Sequence, residues 1–151
     1  MLRNSKAAAL ALAAITAMTP VTLSAQDRWD RQVLRQLSQA ARAADSEADY
    51  IASHDPFVGS LKNNTYTEIQ YNLQAGVHYL LVGVCDEDCS DLDLKLYDGN
   101  HRFVSEDTGP DDKPGVGVTV GVSGRFYLRV IMASCGAGTC RYGTQAYRPA
   151  Q

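Results

Sequence analysis

The sequence predicts an all-β domain, a two-sheet antiparallel sandwich of about seven to eight strands, preceded by one N-terminal α-helix. Three observations carry this. From Tyr66 onward the chain runs as short alternating or apolar segments, roughly 8 to 15 residues apart, punctuated by Gly, Pro, Asn and Asp. Leu92, Leu94 and Leu96 alternate with Asp91, Asp93, Lys95 and Tyr97, the period of two that a half-buried strand requires. No helical periodicity recurs after residue 47 and no strand-helix-strand unit occurs, which sets a parallel sheet aside.

Taken in order, residues 1–25 have the form of a secretory signal: Arg3 and Lys6, an apolar run from Ala7 to Met18, and small residues at Ser24-Ala25, with cleavage expected after Ala25. An uncleaved anchor is the alternative. The run is shorter than the roughly 20 apolar residues a spanning helix needs, so no membrane insertion is expected after signal removal. Residues 26–47 read as a helix with Trp29, Val33, Leu37, Ala40 and Ala44 on one stripe. That helix either packs across the sandwich or stands off as an arm. Residues 48–65, with Ser53-His54-Asp55-Pro56, Gly59-Ser60 and Lys62-Asn63-Asn64, read as a linker or loop. The sandwich is then expected over 66–148, with strands near Tyr66–Leu73, Val77–Val84, Leu92–Tyr97, Arg102–Ser105, Val116–Val122, Phe126–Met132 and Tyr142–Tyr147.

The whole chain has 14 basic and 17 acidic residues, and removing Arg3 and Lys6 with the signal leaves a formal charge of −5. Nucleic acid and anionic membrane are poor partners for such a surface. The length suits one domain with a real core. All four cysteines follow residue 25, an even number in a chain bound for the periplasm or secretion, so disulfides are expected. Cys85 with Cys89 and Cys135 with Cys140 can each close a small loop; crossed pairing between the two loops is the alternative. A zinc site is a third reading, disfavoured because the spacings are not Cys-x2-Cys.

The acidic residues raise the question of a metal. Asp86, Asp88, Asp91 and Asp93 lie within eight positions, and Asp107 stands in a later loop with Glu106, Asp111 and Asp112. Carboxylates gathered on loops are hard oxygen ligands suited to Ca2+, the one cofactor the sequence suggests, although no EF-hand spacing is present. The competing reading is a solvated acidic surface with aspartates capping turns.

For catalysis the pattern is poor. His54, His78 and His101 are scattered, and neither HExxH, GxSxG, a P-loop nor GxGxxG occurs. Gly115-Val116-Gly117-Val118 continues into a strand with no helix behind it, unlike a phosphate loop. His54 beside Asp55 suggests a hydrogen-bonded pair without a nucleophile, and the chain is expected not to be an enzyme. Tyr66, Tyr71, Tyr79, Tyr97, Tyr127, Tyr142 and Tyr147 are spread through the strands. A row of them on one sheet face could stack on sugar rings or a peptide; ordinary core packing is the alternative.

Leu73-Gln74-Ala75-Gly76-Val77-His78-Tyr79, Asp91-Leu92-Asp93-Leu94-Lys95-Leu96-Tyr97-Asp98 and Ser123-Gly124-Arg125-Phe126-Tyr127-Leu128-Arg129-Val130, in that order, resemble the bacterial pre-peptidase C-terminal domain. The resemblance spans about Tyr66 to Tyr147. It implies a jelly-roll-like sandwich and a non-catalytic accessory module, in some members binding calcium or extracellular polymers. Two departures stand against it: no peptidase precedes the module, and the paired cysteines are not features of the general family. The function expected is therefore a non-catalytic exported binding or structural module whose partner is a protein or an extracellular polymer. The alternatives are a calcium-dependent adhesion or polysaccharide-binding module, and an accessory or inhibitor-like partner of a secreted hydrolase.

Overall fold

The computed structural model describes residues 22–44 and 49–150. Most of the expected signal, residues 1–21, lies outside the described residues. Among the described residues one helix, α1 (Thr22–Ala44), is followed by nine strands: β1 (Tyr50–Ala52), β2 (Phe57–Lys62), β3 (Thr65–Leu73), β4 (His78–Cys85), β5 (Cys89–Asp98), β6 (Phe103–Asp107), β7 (Gly115–Thr119), β8 (Gly124–Cys135) and β9 (Thr139–Pro149). Every pairing is antiparallel. The first sheet runs β1-β9-β4-β7, with β2 also on β9, and the second runs β3-β8-β5-β6. The sandwich is thus the expected all-β architecture with one strand beyond the upper expectation.

Three boundaries differ from the sequence reading. The helix starts at Thr22, ahead of Ala25, and is described to Ala44; residues 45–47 of the expected helix lie outside the described residues. The expected linker 48–65 instead supplies β1 and β2, which lie end to end along β9: Tyr50–Ala52 against Tyr147–Pro149, and Phe57–Lys62 against Thr139–Thr144. The turn residues that suggested a loop mark only the Ser53–Pro56 step between them and the hairpin at Asn64, whose φ of 58° is the left-handed conformation asparagine tolerates. The paired cysteines, expected in loops, sit on strand ends, with Cys89 opening β5, Cys135 closing β8 and Cys140 inside β9.

The core follows from alternation. Leu92, Leu94 and Leu96 of β5 point inward with Leu128, Val130 and Met132 of β8, against Tyr79 and Leu81 of β4, Val116 of β7 and Tyr142 and Ala146 of β9. Burying each large aliphatic side chain contributes about 1.5–3 kcal/mol. Tyr71 and Thr144 bring hydroxyls into this interior and satisfy them with each other across the sheets at 3.0 Å. Strand β4 is buried along nearly its whole length because both its faces are covered. Its other face, Leu80, Val82 and Val84, meets Val33, Leu37 and Ala40 of α1, with Tyr147. The helix therefore packs on the sandwich, on the predicted stripe. Gly143 of β9 makes the close approach feasible, since a Cβ there would lie 2.2 Å from Val33 Cγ1 and 3.2 Å from Leu37 Cδ1. At the edge of this contact Arg141 Nη2 donates to Asp30 Oδ1, tying helix to strand.

Candidate functional site on the outer face of the second sheet

With α1 over the first sheet, the outer face of the second sheet is the broad face that no element of the described chain covers. Alternation on β3, β5 and β8 turns Tyr66, Glu68, Gln70, Lys95, Tyr97, Tyr127 and Arg129 outward, because their neighbours in sequence form the core. Register then aligns them in rows across the sheet. Glu68 pairs with Arg129, Arg129 with Lys95 and Lys95 with Glu106, and in the next row Gln70 pairs with Tyr127, Tyr127 with Tyr97 and Tyr97 with Phe103.

The rows are locked together by contacts. Arg129 donates to Glu68 Oε1 from Nε at 3.1 Å and from Nη2 at 2.8 Å, and its guanidinium lies over both the Tyr66 ring, at 4.6 Å, and the Tyr97 ring, at 4.8 Å. Lys95 Nζ pairs with Glu106 at 2.8 Å. The Glu68 carboxylate and the two tyrosines favour the charged guanidinium and hold the Arg129 pKa up; the hydrogen bond to Glu106 does the same for Lys95. Tyr97 and Phe103 meet edge to face at 6.2 Å. His101 stacks flat on Tyr127 at 4.4 Å and 11°.

His101 is placed there by its turn. Its φ is 56°, its N–H donates to Asp98 O at 2.9 Å, and Asp98 Oδ1 accepts from Asn100 N and Arg102 N at 2.8 and 2.9 Å. These amide bonds stabilise the carboxylate and lower the Asp98 pKa. Tyr66 and Phe103 remain 59% and 58% exposed, so large flat apolar surface faces solvent here beside fixed charges. Such a face can stack on planar ligand surfaces and hydrogen-bond their rims.

The sequence-predicted residues divide. Tyr66, Tyr97 and Tyr127 share this face, whereas Tyr71, Tyr79 and Tyr142 are in the inter-sheet core and Tyr147 packs under α1. Burial pushes Tyr142 and Tyr147 up to about 12. The cystines are local, Cys85–Cys89 and Cys135–Cys140, and lie next to each other because Cys89 and Cys135 are register partners. Among the described residues no cysteine is free.

The acidic set is only partly brought together. Asp86 is 6% exposed, and its Oδ2 accepts from Arg141 N at 2.7 Å, so it clamps the first cystine loop to β9. Asp88 stays in the exposed loop, where its carbonyl accepts from Gly136 N at 2.8 Å. Asp107 caps the β6–β7 connection, accepting from Gly109 N at 3.3 Å and Gly115 N at 2.8 Å. Asp91 and Asp93 follow on β5. Desolvation first, then the charges of Asp91, Asp107 and Glu106, raise the Asp93 pKa against the opposing pull of Lys95. Among the described residues no three carboxylate, imidazole or thiolate side chains converge into a metal-holding group.

His78 is exposed at the β4–β7 edge, with Nδ1 3.0 Å from Thr119 Oγ1. His54 sits instead with Nδ1 3.0 Å from Ser53 Oγ and Nε2 3.1 Å from Asn72 O. Sequence reasoning missed Arg129, Phe103 and His101 as members of the face. Their strand parity was available, but their neighbours are set by register.

Among the described residues no helix is long and apolar enough to cross a membrane. No protein-family model matches the chain, and no curated protein does. Among solved structures, the crystal structure of Aeromonas hydrophila PliG, a periplasmic lysozyme inhibitor of g-type lysozyme, is similar at 10% identity, covering 69% of this chain and 90% of that chain with a TM-score of 0.44.

Proposed function

We propose that the protein is a non-catalytic exported binding module that holds an extracellular polysaccharide on the outer face of its second sheet. The observation that carries this reading is the Arg129 guanidinium fixed between Tyr66 and Tyr97, with Phe103 and the His101–Tyr127 stack beside it. Sugar rings present flat C–H faces that stack on aromatic rings, and their hydroxyls meet donors and acceptors such as Arg129, Glu68 and Gln70. The aromatic patch is held before binding because Arg129 and Lys95 are already paired with Glu68 and Glu106, so little side-chain entropy is lost. The resemblance to the pre-peptidase C-terminal domain agrees with an accessory role, and the paired cysteines with export.

The test is sedimentation of the purified protein with insoluble cellulose, chitin, β-1,3-glucan and peptidoglycan. Retention on at least one polymer is expected, weakened about tenfold by Tyr97→Ala or Arg129→Ala, the loss of one stacking or cation-π contact of about 1–1.5 kcal/mol. Retention untouched by both replacements, or none on any polymer, contradicts the reading.

A second reading, that Ca2+ supports this module, is favoured by the like-charged neighbours of Asp93 and by a buried Asp91 Oδ1 without a hydrogen-bond partner. The two cases give opposite signs. Without a cation the raised Asp93 pKa means that folding favours the protonated acid: its contribution is present below the unfolded carboxylate range and lost as pH rises through the folded value. Asp93→Asn is then expected to raise Tm by about 1–2 °C at pH 7, with the gain vanishing at acidic pH. If Ca2+ binds there, millimolar calcium raises the wild-type Tm over chelator, and Asp93→Asn removes that rise. Thermal scans of both proteins under both conditions decide between them.

A further inference from the structure

A second, chemically different site lies at the open end of the sandwich, away from the aromatic face. A cleft of about 310 Å³ is lined by Ser53 and His54 from the β1–β2 step, Asn72 from the end of β3, Gln74 and Val77 from the β3–β4 turn, Tyr79 and Arg148. That volume lies at the lower end of small-molecule sites. Three features give it a chemical character.

First, among the described residues the Arg148 guanidinium at its wall has no ion pair or hydrogen bond and no carboxylate lines the cleft. Asp55 lines only the adjoining depression on the other side of His54, with Ala52 and Gln145. A half-buried arginine without a partner keeps its charge and its fork of donors available to an anion. Second, the side-chain amide of Gln74 is likewise uncommitted among the described residues: only its main-chain atoms take part in bonds, Gln74 N with Tyr79 Oη at 3.2 Å and Gln74 O with Val77 N at 3.4 Å, while Asn72 meets the cleft through its carbonyl, 3.1 Å from His54 Nε2.

Third, the wall is fixed in place. His54 rests edge-on to Tyr71 at 5.3 Å. Ser53 donates its amide and its hydroxyl to Ala146 O, both at 2.9 Å, and Gln145 Nε2 donates to His54 O at 2.9 Å. Both His54 ring nitrogens are engaged within the protein, Nδ1 with Ser53 Oγ and Nε2 with Asn72 O, so the ring is held as a fixed wall. The Arg148 guanidinium and the Gln74 amide therefore border a small space floored by Val77 and Tyr79.

We propose that this cleft binds a small carboxylate-bearing ligand, its carboxylate paired with Arg148 and its neighbouring polar groups hydrogen-bonded to Gln74. Arginine meets a carboxylate with two parallel N–H donors, the geometry a lone, unpaired guanidinium leaves open. The carboxylate could belong to an acidic sugar or to a peptide C-terminus, and both present polar groups within reach of that amide. The inference does not depend on the aromatic face, and a ligand here would occupy a different surface.

The test is a titration of the full exported protein with D-glucuronate, with the dipeptide glycylalanine, and with D-glucose as the neutral control, followed by the His54 and Tyr79 ring signals in NMR spectra. Saturable shifts are expected with one or both carboxylates and not with glucose, and which of the two binds more tightly identifies the source. Arg148→Gln is expected to abolish the shifts, and Arg148→Lys to weaken binding about tenfold through loss of the fork. Because Arg148 lies on a core strand, Gln74→Ala in the β3–β4 turn is the second variant, expected to weaken binding several-fold with Tm unchanged. Absence of saturable shifts with either carboxylate, equal shifts with glucose, or full binding by a folded Arg148→Gln protein overturns the proposal.

Discussion

Leu94→Asp is expected to unfold the domain. Leu94 is fully buried, faces Val130 across the β5–β8 ladder, and packs where Gly83 of β4 leaves room: a Cβ on Gly83 would stand 3.3 Å from the Leu94 methyls. The substitution removes about 2 kcal/mol of apolar burial and puts an unpaired carboxylate between two sheets, for a total of at least 4–5 kcal/mol. That is a large share of the ~5–15 kcal/mol by which a domain is stable. One residue on, Lys95→Ala removes only a half-exposed pair with Glu106 and is expected to leave the urea midpoint nearly unchanged. Urea unfolding of both variants checks this. Similar midpoints would mean that β5 has the opposite facing.

Gly143→Ala is the second large effect. The new methyl would meet Val33 Cγ1 at 2.2 Å and Leu37 Cδ1 at 3.2 Å, both on side chains that are fully buried. Neither can swing aside into solvent without uncovering Leu80, Val82 and Val84. The helix must lift, and a loss of about 1–3 kcal/mol is expected, with faster tryptic cleavage at Arg31 and Arg35. Removing the offending methyls provides the control. Val33→Ala alone costs stability, yet added to Gly143→Ala it is expected to recover about 1 kcal/mol or more of coupling. Strictly additive losses would mean that the helix does not rest on this glycine.

The same residues show what sequence could and could not say. The Leu92, Leu94 and Leu96 alternation was legible because one face of β5 is core and the other solvent, and period two then fixes every side chain. The helix stripe was legible for the matching reason. Strand β4 read as a strand, but its apolar outward face, Leu80, Val82 and Val84, had an explanation only once the helix was seen to cover it. Strands β1 and β2 were not legible. Tyr50–Ala52 is three residues long, and Phe57–Lys62 carries a glycine and a serine at its centre. What makes them strands is the length of β9, which offers an edge for both.

At the site, the tyrosines were visible and their division between core and surface was not. Tyr66 and Tyr71 stand five positions apart on one strand and must face opposite ways, but which faced water required the second sheet. Arg129, Phe103 and His101 joined them through cross-strand register and a left-handed turn residue, neither of which leaves a local pattern. Asp86 read as a Ca2+ ligand or a solvated acid, and its burial depends on the Arg141 amide of a strand 55 residues away in sequence.

Docking of a polymer on the outer face of the second sheet, as proposed above, predicts where its contacts fall. The most direct measurement is amide chemical-shift mapping during titration with a soluble pentasaccharide of whichever polymer retains the protein. Shifts concentrated at Tyr66, Glu68, Lys95, Tyr97, Phe103, Tyr127 and Arg129 are the predicted result. Shifts confined to the cystine loops, to the helix-covered sheet or to the Arg148 cleft would contradict it, and the polymer would then be held elsewhere on the molecule.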